Sequence, residues 1–138
     1  MREQIVPRVV GKMLIPYVLL FGPYVITHGE LGPGGGFQGG VILGSAVILH
    51  ALIFGVRESR KALPRGAIDV LLGLGILLYA GVGVLGLLLG GSFLDYSVLV
   101  KSNPAAAEAL GMTLVEYGVG ITVAAVMITL FNKIAGER

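Results

Sequence analysis

Cysteine is absent from this chain, and with it go disulfides, thiol catalysis and iron–sulfur ligation by its own side chains. Histidine occurs only twice, too few for a histidine-rich metal site, and no metal or cofactor is expected. Side-chain amides are confined to Gln4, Gln38, Asn103 and Asn132, a scarcity that suits a heat-adapted source and equally any membrane chain. Charge is sparse as well. Only 13% of residues are Asp, Glu, Lys or Arg, against 55% that are apolar, a balance that argues against a globule dissolved in water. The net charge of +2 reflects membrane topology and carries no nucleic-acid footprint. Internal repeats and low-complexity segments are not evident.

Four apolar runs fill most of the chain: 9–27, 37–56, 68–90 and 114–131. Each is close to the ~20 residues that cross a bilayer core as a helix. None contains arginine, and the one lysine, Lys12, lies at an end. The predicted fold class is therefore an all-α integral membrane protein with four transmembrane helices in a single unit over residues 1–138. The first run follows basic residues as a secretory signal would, but it contains Pro16 and Pro23 and no small-residue cleavage site follows, so it reads as a retained span. Nine of the ten cations flank the spans on one side: Arg2, Arg8, Lys12, Arg57, Arg60, Lys61, Arg65, Lys133 and Arg138. Only Lys101 falls on the other. The bias of basic loops toward the cytoplasm then puts both termini inside, and the 28–36 and 91–112 connections outside.

Local signals add detail. Pro16 and Pro23 each remove a helix hydrogen bond, freeing the carbonyls of Lys12 and Leu19, with Gly22-Pro23 as the expected kink. That kink either lines an ion path or simply improves packing. In the second span Gly36, Gly40 and Gly44 recur every fourth residue, with Ala51 and Gly55 on the same face, a stripe that lets another helix backbone approach closely. The third span is rich in glycine and almost free of polar side chains, as in a packing helix. Asn103-Pro104 with Gly111 predicts a short capped helix on the outer surface. Thr113-Leu114-Val115-Glu116 predicts a capping box that opens the fourth span.

Few polar residues remain as candidates for chemistry. His50, in the second span and seven residues before Arg57, reads either as a proton relay or as a neutral histidine bonded to a neighbouring carbonyl. Glu116 is the only carboxylate within a span apart from Asp69 at the very start of the third, and capping accounts for it. Asp69 suits the amino terminus of the third span beside the 57–65 cations. His28 and Glu30 flank the outer link His28-Gly29-Glu30-Leu31-Gly32-Pro33-Gly34-Gly35-Gly36-Phe37-Gln38-Gly39-Gly40. The link is too glycine-rich to face lipid, where bare backbone polar groups cannot be satisfied, so it is expected to face protein or a water-lined path. A phosphate-binding loop is excluded, because no Gly-Lys-Ser/Thr follows and no strand precedes.

With His28-Gly29, Pro33-Gly34-Gly35-Gly36-Phe37-Gln38-Gly39-Gly40 and Gly118-Val119-Gly120-Ile121-Thr122-Val123 in view, the chain resembles the MrpB/MnhB family, small subunits of the multisubunit Mrp/Mnh-type sodium/proton antiporters, over nearly its whole length. The resemblance implies a small, non-catalytic subunit of the prokaryotic plasma membrane, required with sibling antiporter subunits for coupled Na+ and H+ movement. It also admits a redox-driven host with hydrogenase-like subunits. The family motif maps onto Pro33, Gly34, Gly35, Gly36, Phe37, Gly39 and Gly40, with Gly44 continuing the packing face. Glu30 stands where the family pattern often has histidine or another polar residue. His50, Glu116 and His28 are the ion-path candidates. The alternatives are a self-associating structural membrane protein without ion coupling and a stand-alone transporter made of four-helix units.

Overall fold

The computed structural model describes residues 3–136; Arg2 and Arg138, two of the cations that orient the chain, lie outside the described residues. Five helices account for most of them: α1 (Ile5–His28), α2 (Gly36–Phe54), α3 (Val56–Ala62), α4 (Arg65–Leu88) and α5 (Pro104–Gly136). All but the short α3 are long and apolar enough to cross a membrane. The expected four spans are thus present.

Their limits follow local chemistry. α1 runs unbroken through Pro16 and Pro23. α2 begins after Gly35, whose φ of 144° is costly for any residue with a Cβ, and ends at Gly55, with φ 102°. The Gly55 turn detaches α3, a two-turn polar helix where the hydropathy pattern predicts only a connection, with an exposed Lys61–Glu58 pair at 2.8 Å that contributes little. The 89–103 connection folds back over the ends of α4 and α5. Phe93 occupies the space over Gly83, and Tyr96 lies against Gly111. A single 3-10 turn, Tyr96–Val98, is capped by Asp95, which accepts from the Ser97 amide at 3.2 Å and its hydroxyl at 2.6 Å. The Ser97 hydroxyl bond, foremost, holds the Asp95 carboxyl below its ordinary range.

The largest correction concerns α5. Asn103 does cap a helix, its Oδ1 accepting from the Ala106 amide at 3.2 Å, and Pro104 opens it. That helix does not stop at Gly111. It continues for 33 residues to Gly136, ~50 Å at 1.5 Å per residue, so the expected surface helix is simply the first turns of the fourth span. Gly111 serves as a seat for Tyr96 instead of a terminator.

The spans form an open row. α5 packs against both α2 and α4, and α1 packs against α2 with a slighter contact to α5, leaving α1 and α4 at opposite edges. Glycine stripes make this row tight. A Cβ on Gly40 would stand 2.6 Å from the Gly120 carbonyl oxygen, and one on Gly75 would stand 2.9 Å from that of Gly118. Backbone approaches of this kind are how helices associate where burial from water cannot drive them together. The Gly36/Gly40/Gly44 stripe is therefore used up inside the chain, against Glu116, Gly120 and Met127, and is not left for another subunit. Gly39 faces the other way, onto Gly22 and Ile26 of α1, so Gly22-Pro23 marks a helix crossing. The buried core is small, centred on Ile68, Ala125 and Ile128, while Leu20, Leu77 and Leu130 stand exposed as lipid-facing residues do.

Candidate functional site

The link between α1 and α2 closes over the end of α1 by backbone hydrogen bonds. Leu31 and Gly32 amides donate to the His28 carbonyl at 3.0 and 3.1 Å, and the Gly35 amide donates to the Val25 carbonyl at 3.2 Å. The fold-back brings Gly29, Gly35 and Gly36 onto α5 at Glu116. A Cβ on Gly29 would lie 2.8 Å from Glu116 Oε1, one on Gly35 would lie 3.4 Å from the same oxygen, and one on Gly36 would overlap the Glu116 backbone carbonyl. Bare glycine backbone is what admits this carboxylate between α1, α2 and α5.

Glu116 is not part of a capping box. Thr113 is the tenth residue of α5, and its hydroxyl bonds back to the Ala109 carbonyl at 2.9 Å, as a threonine does inside a helix. The capping explanation therefore fails, and Glu116 sits well inside a continuous helix. Its Oε2 is buried and has no hydrogen-bond partner among the described residues. A buried carboxylate oxygen without a donor is costly, so helix capping gives no account of why a carboxylate stands at this position.

Glu30, which the sequence places merely in a loop, reaches the same place. Its carboxylate meets the Thr113 hydroxyl, one turn before Glu116, and that hydroxyl shares its one proton between Glu30 and the Ala109 carbonyl. A second cross-link fixes α1 to α5: the Thr27 hydroxyl lies 2.6 Å from the Tyr117 hydroxyl and 2.9 Å from the Pro23 carbonyl. Thr27 has one proton and gives it to Pro23, so Tyr117 is the donor between the two hydroxyls. No signal in the sequence joined Glu30 or Thr27 to α5, since 83 and 90 positions separate each pair.

The remaining candidates distribute as follows. His28 stacks on Tyr24 at 5.4 Å and bonds to neither carboxylate among the described residues. Within the family motif, Gly35, Gly36, Gly39 and Gly40 are buried, Gly34 is half-buried, and Pro33 and Phe37 are exposed, Phe37 at 61%. Gly44 packs on Met127. His50 lies at the other end of the molecule. It tilts against Phe54 at 4.8 Å, the Arg8 guanidinium stands 5.8 Å over the Phe54 ring, and both flank an open cleft with Glu58 and Lys61. Fourteen residues of α2 separate His50 from Gly36, ~21 Å along the helix, so His50 and Glu116 belong to different sites. No group of three or more His, Asp or Glu suited to a metal ion occurs among the described residues. Chemically, the link end brings two carboxylates, Glu116 and Glu30, onto one stretch of α5, and a carboxyl group can take up or release a proton.

Comparison with known proteins bears on which of these uses applies. A family model described as a domain related to the MnhB subunit of Na+/H+ antiporter matches residues 6–129. A protein named antiporter subunit mnhB2 from Staphylococcus haemolyticus (strain JCSC1435) is 36% identical over 138 residues, covering 99% of this chain and 97% of that one. The protein of the same name from Staphylococcus aureus (strain Newman) is 33% identical over 140 residues, with the same coverage. Among solved structures, a chain of the membrane-bound sulfane sulfur reductase, an archaeal respiratory membrane complex, matches with a TM-score of 0.61 and 28% identity over 90% of this chain. This chain spans 58% of the length of that one.

Proposed function

The chain belongs to the MnhB family of Na+/H+ antiporter subunits, and on that premise we propose that it serves as a non-catalytic accessory subunit of a multisubunit sodium/proton antiporter module, supporting assembly and coupled translocation. In this reading both termini and α3 lie on the cytoplasmic side of a prokaryotic plasma membrane, and the link faces outward. The partners are sibling antiporter subunits. The exposed Leu31 and Phe37, on either side of the buried glycines, are the surface offered to them. Similarity to a respiratory complex supports a redox-driven host for the module, with redox subunits beside the antiporter ones.

The observation that carries the reading is the Glu116 carboxylate, seated against Cβ-free backbone with one oxygen buried and unpartnered. An ionisable group kept at such a cost within a spanning helix is suited to taking up and releasing an ion. Glu116 and His28 at the link end and His50 at the basic end are the ion-path residues of this proposal. Glu116→Gln keeps the shape and removes the charge. In the intact complex, assayed in inverted vesicles, it is expected to preserve the co-purifying subunits and lower Na+-dependent proton movement by about 100-fold. Unchanged transport in that variant would remove Glu116 from the path.

A further inference from the structure

Along one face of the α4–α5 contact lie two cavities that the antiporter reading leaves unused. The first, about 220 Å³, opens at the basic end and is lined by Arg65, Ile68, Asp69, Thr129, Asn132 and Lys133. The second, about 240 Å³, is lined by Ile76, Tyr79, Val119, Thr122 and Val123. Asp69 and Ile76 are seven residues apart on α4, and Thr129 and Thr122 are seven apart on α5. Seven residues make two turns, so the two cavities lie one beyond the other along the same α4–α5 groove, with centres ~10 Å apart along the helices.

The two ends of the groove differ in chemistry. At the mouth, Arg65, Asp69 and Lys133 form no ion pair or hydrogen bond among the described residues, and they sum to a single positive charge. Asn132 is only 8% exposed and lines this cavity, and its side-chain amide has no partner among the described residues. The Arg60 guanidinium, donating at 2.8 Å to the Asn132 backbone carbonyl, adds positive field behind it. The deeper cavity offers no such groups. The Thr122 hydroxyl donates to the Gly118 carbonyl at 2.8 Å, and the rest of the lining is aliphatic apart from Tyr79.

A net +1 mouth with a free amide, at the level where a span meets its headgroup region, followed ~10 Å deeper by an apolar pocket within the ~15 Å depth of one leaflet, has the outline of a membrane lipid. We infer that the groove binds a glycerophospholipid, its singly charged phosphodiester at Arg65, Lys133 and Asn132 and one hydrocarbon chain against Ile76 and Val119. The charge match selects a phosphodiester over a neutral lipid, and the deeper pocket selects a lipid over free phosphate. Asp69 sets the limit on how much anionic charge the mouth accepts.

The full-length chain in mild detergent tests this by native mass spectrometry, titrated with phosphatidylglycerol, with diacylglycerol as the phosphate-free control. The double variant R65Q/K133Q is expected to weaken phosphatidylglycerol binding about 30-fold and leave diacylglycerol unchanged, which also shows that the groove is intact. I76N is expected to weaken both lipids about threefold, and D69N to tighten phosphatidylglycerol. Equal binding of phosphatidylglycerol by the wild type and R65Q/K133Q would overturn the assignment. So would displacement of the lipid by millimolar inorganic phosphate with no effect of I76N, or a photo-crosslinker at Val119 that captures a sibling helix in the native complex.

Discussion

The two ends of this molecule hold their polar groups in opposite ways. Among the described residues the basic half carries seven cations and three carboxylates, and the link half carries four carboxylates and one cation. At the link end, glycine backbone presses directly on Glu116, and side chains are tied across helices by Thr113–Glu30 and Tyr117–Thr27. At the basic end, charged and amide side chains surround open cavities beside Arg8, His50, Arg65 and Lys133. The contrast separates two uses of polarity in a membrane chain. One holds a carboxylate, Glu116, against bare backbone at a helix junction, with a second, Glu30, tied to the same helix. The other spreads charge where water and headgroups screen it, and where ligands can come and go.

The most damaging way to break the contrast is to give the link end a side chain. Gly36→Leu puts atoms into the Glu116 backbone and is expected to cost about 3 kcal/mol or more, enough to separate α2 from α5. Loss of the tagged protein from assembled complexes on native gels would register it. A milder change at the other end sharpens the comparison. His50→Ala is expected to lower coupled transport about tenfold with assembly intact, less than Glu116→Gln, because water in an open cleft can stand in for the imidazole. Equal losses at the two sites, measured in the same vesicles, would mean that the ends do not differ in the way proposed.

Smaller effects test the cross-links. Tyr117→Phe deletes the donor to Thr27 and is expected to cost about 1 kcal/mol in thermal unfolding in detergent. The smallest expectation concerns the capped turn beyond α4. The Asp95 carboxyl is held below its ordinary value of 3.8, so its contribution is complete at neutral pH and is lost only as pH falls below that range. Protection of the Ser97 amide against hydrogen exchange should stay level above about pH 4 and fall beneath it.

Periodicity and composition alone determined the four apolar runs and the packing role of the glycines, because these depend on side-chain type at fixed helical spacing, while the family resemblance rested on the particular residues of the motif at 33–40. The cap at Asn103-Pro104 was legible for the same reason. The three-dimensional structure decided what such local rules cannot: that α5 continues past Gly111, and that the Gly36/Gly40/Gly44 stripe meets α5 of the same chain. At Gly111 the helix meets Tyr96, a contact between separate elements that no local rule predicts. Glu116 is the clearest case. Its local sequence, threonine then glutamate three residues on, satisfies the rule for a helix start, and only the packing of α1, the link and α2 around it shows a carboxylate inside a helix with an oxygen left unpaired. Local sequence dictates which backbone can form, while the partners of Glu30 and Thr27 lie 83 and 90 positions away and come together only when the row of helices closes.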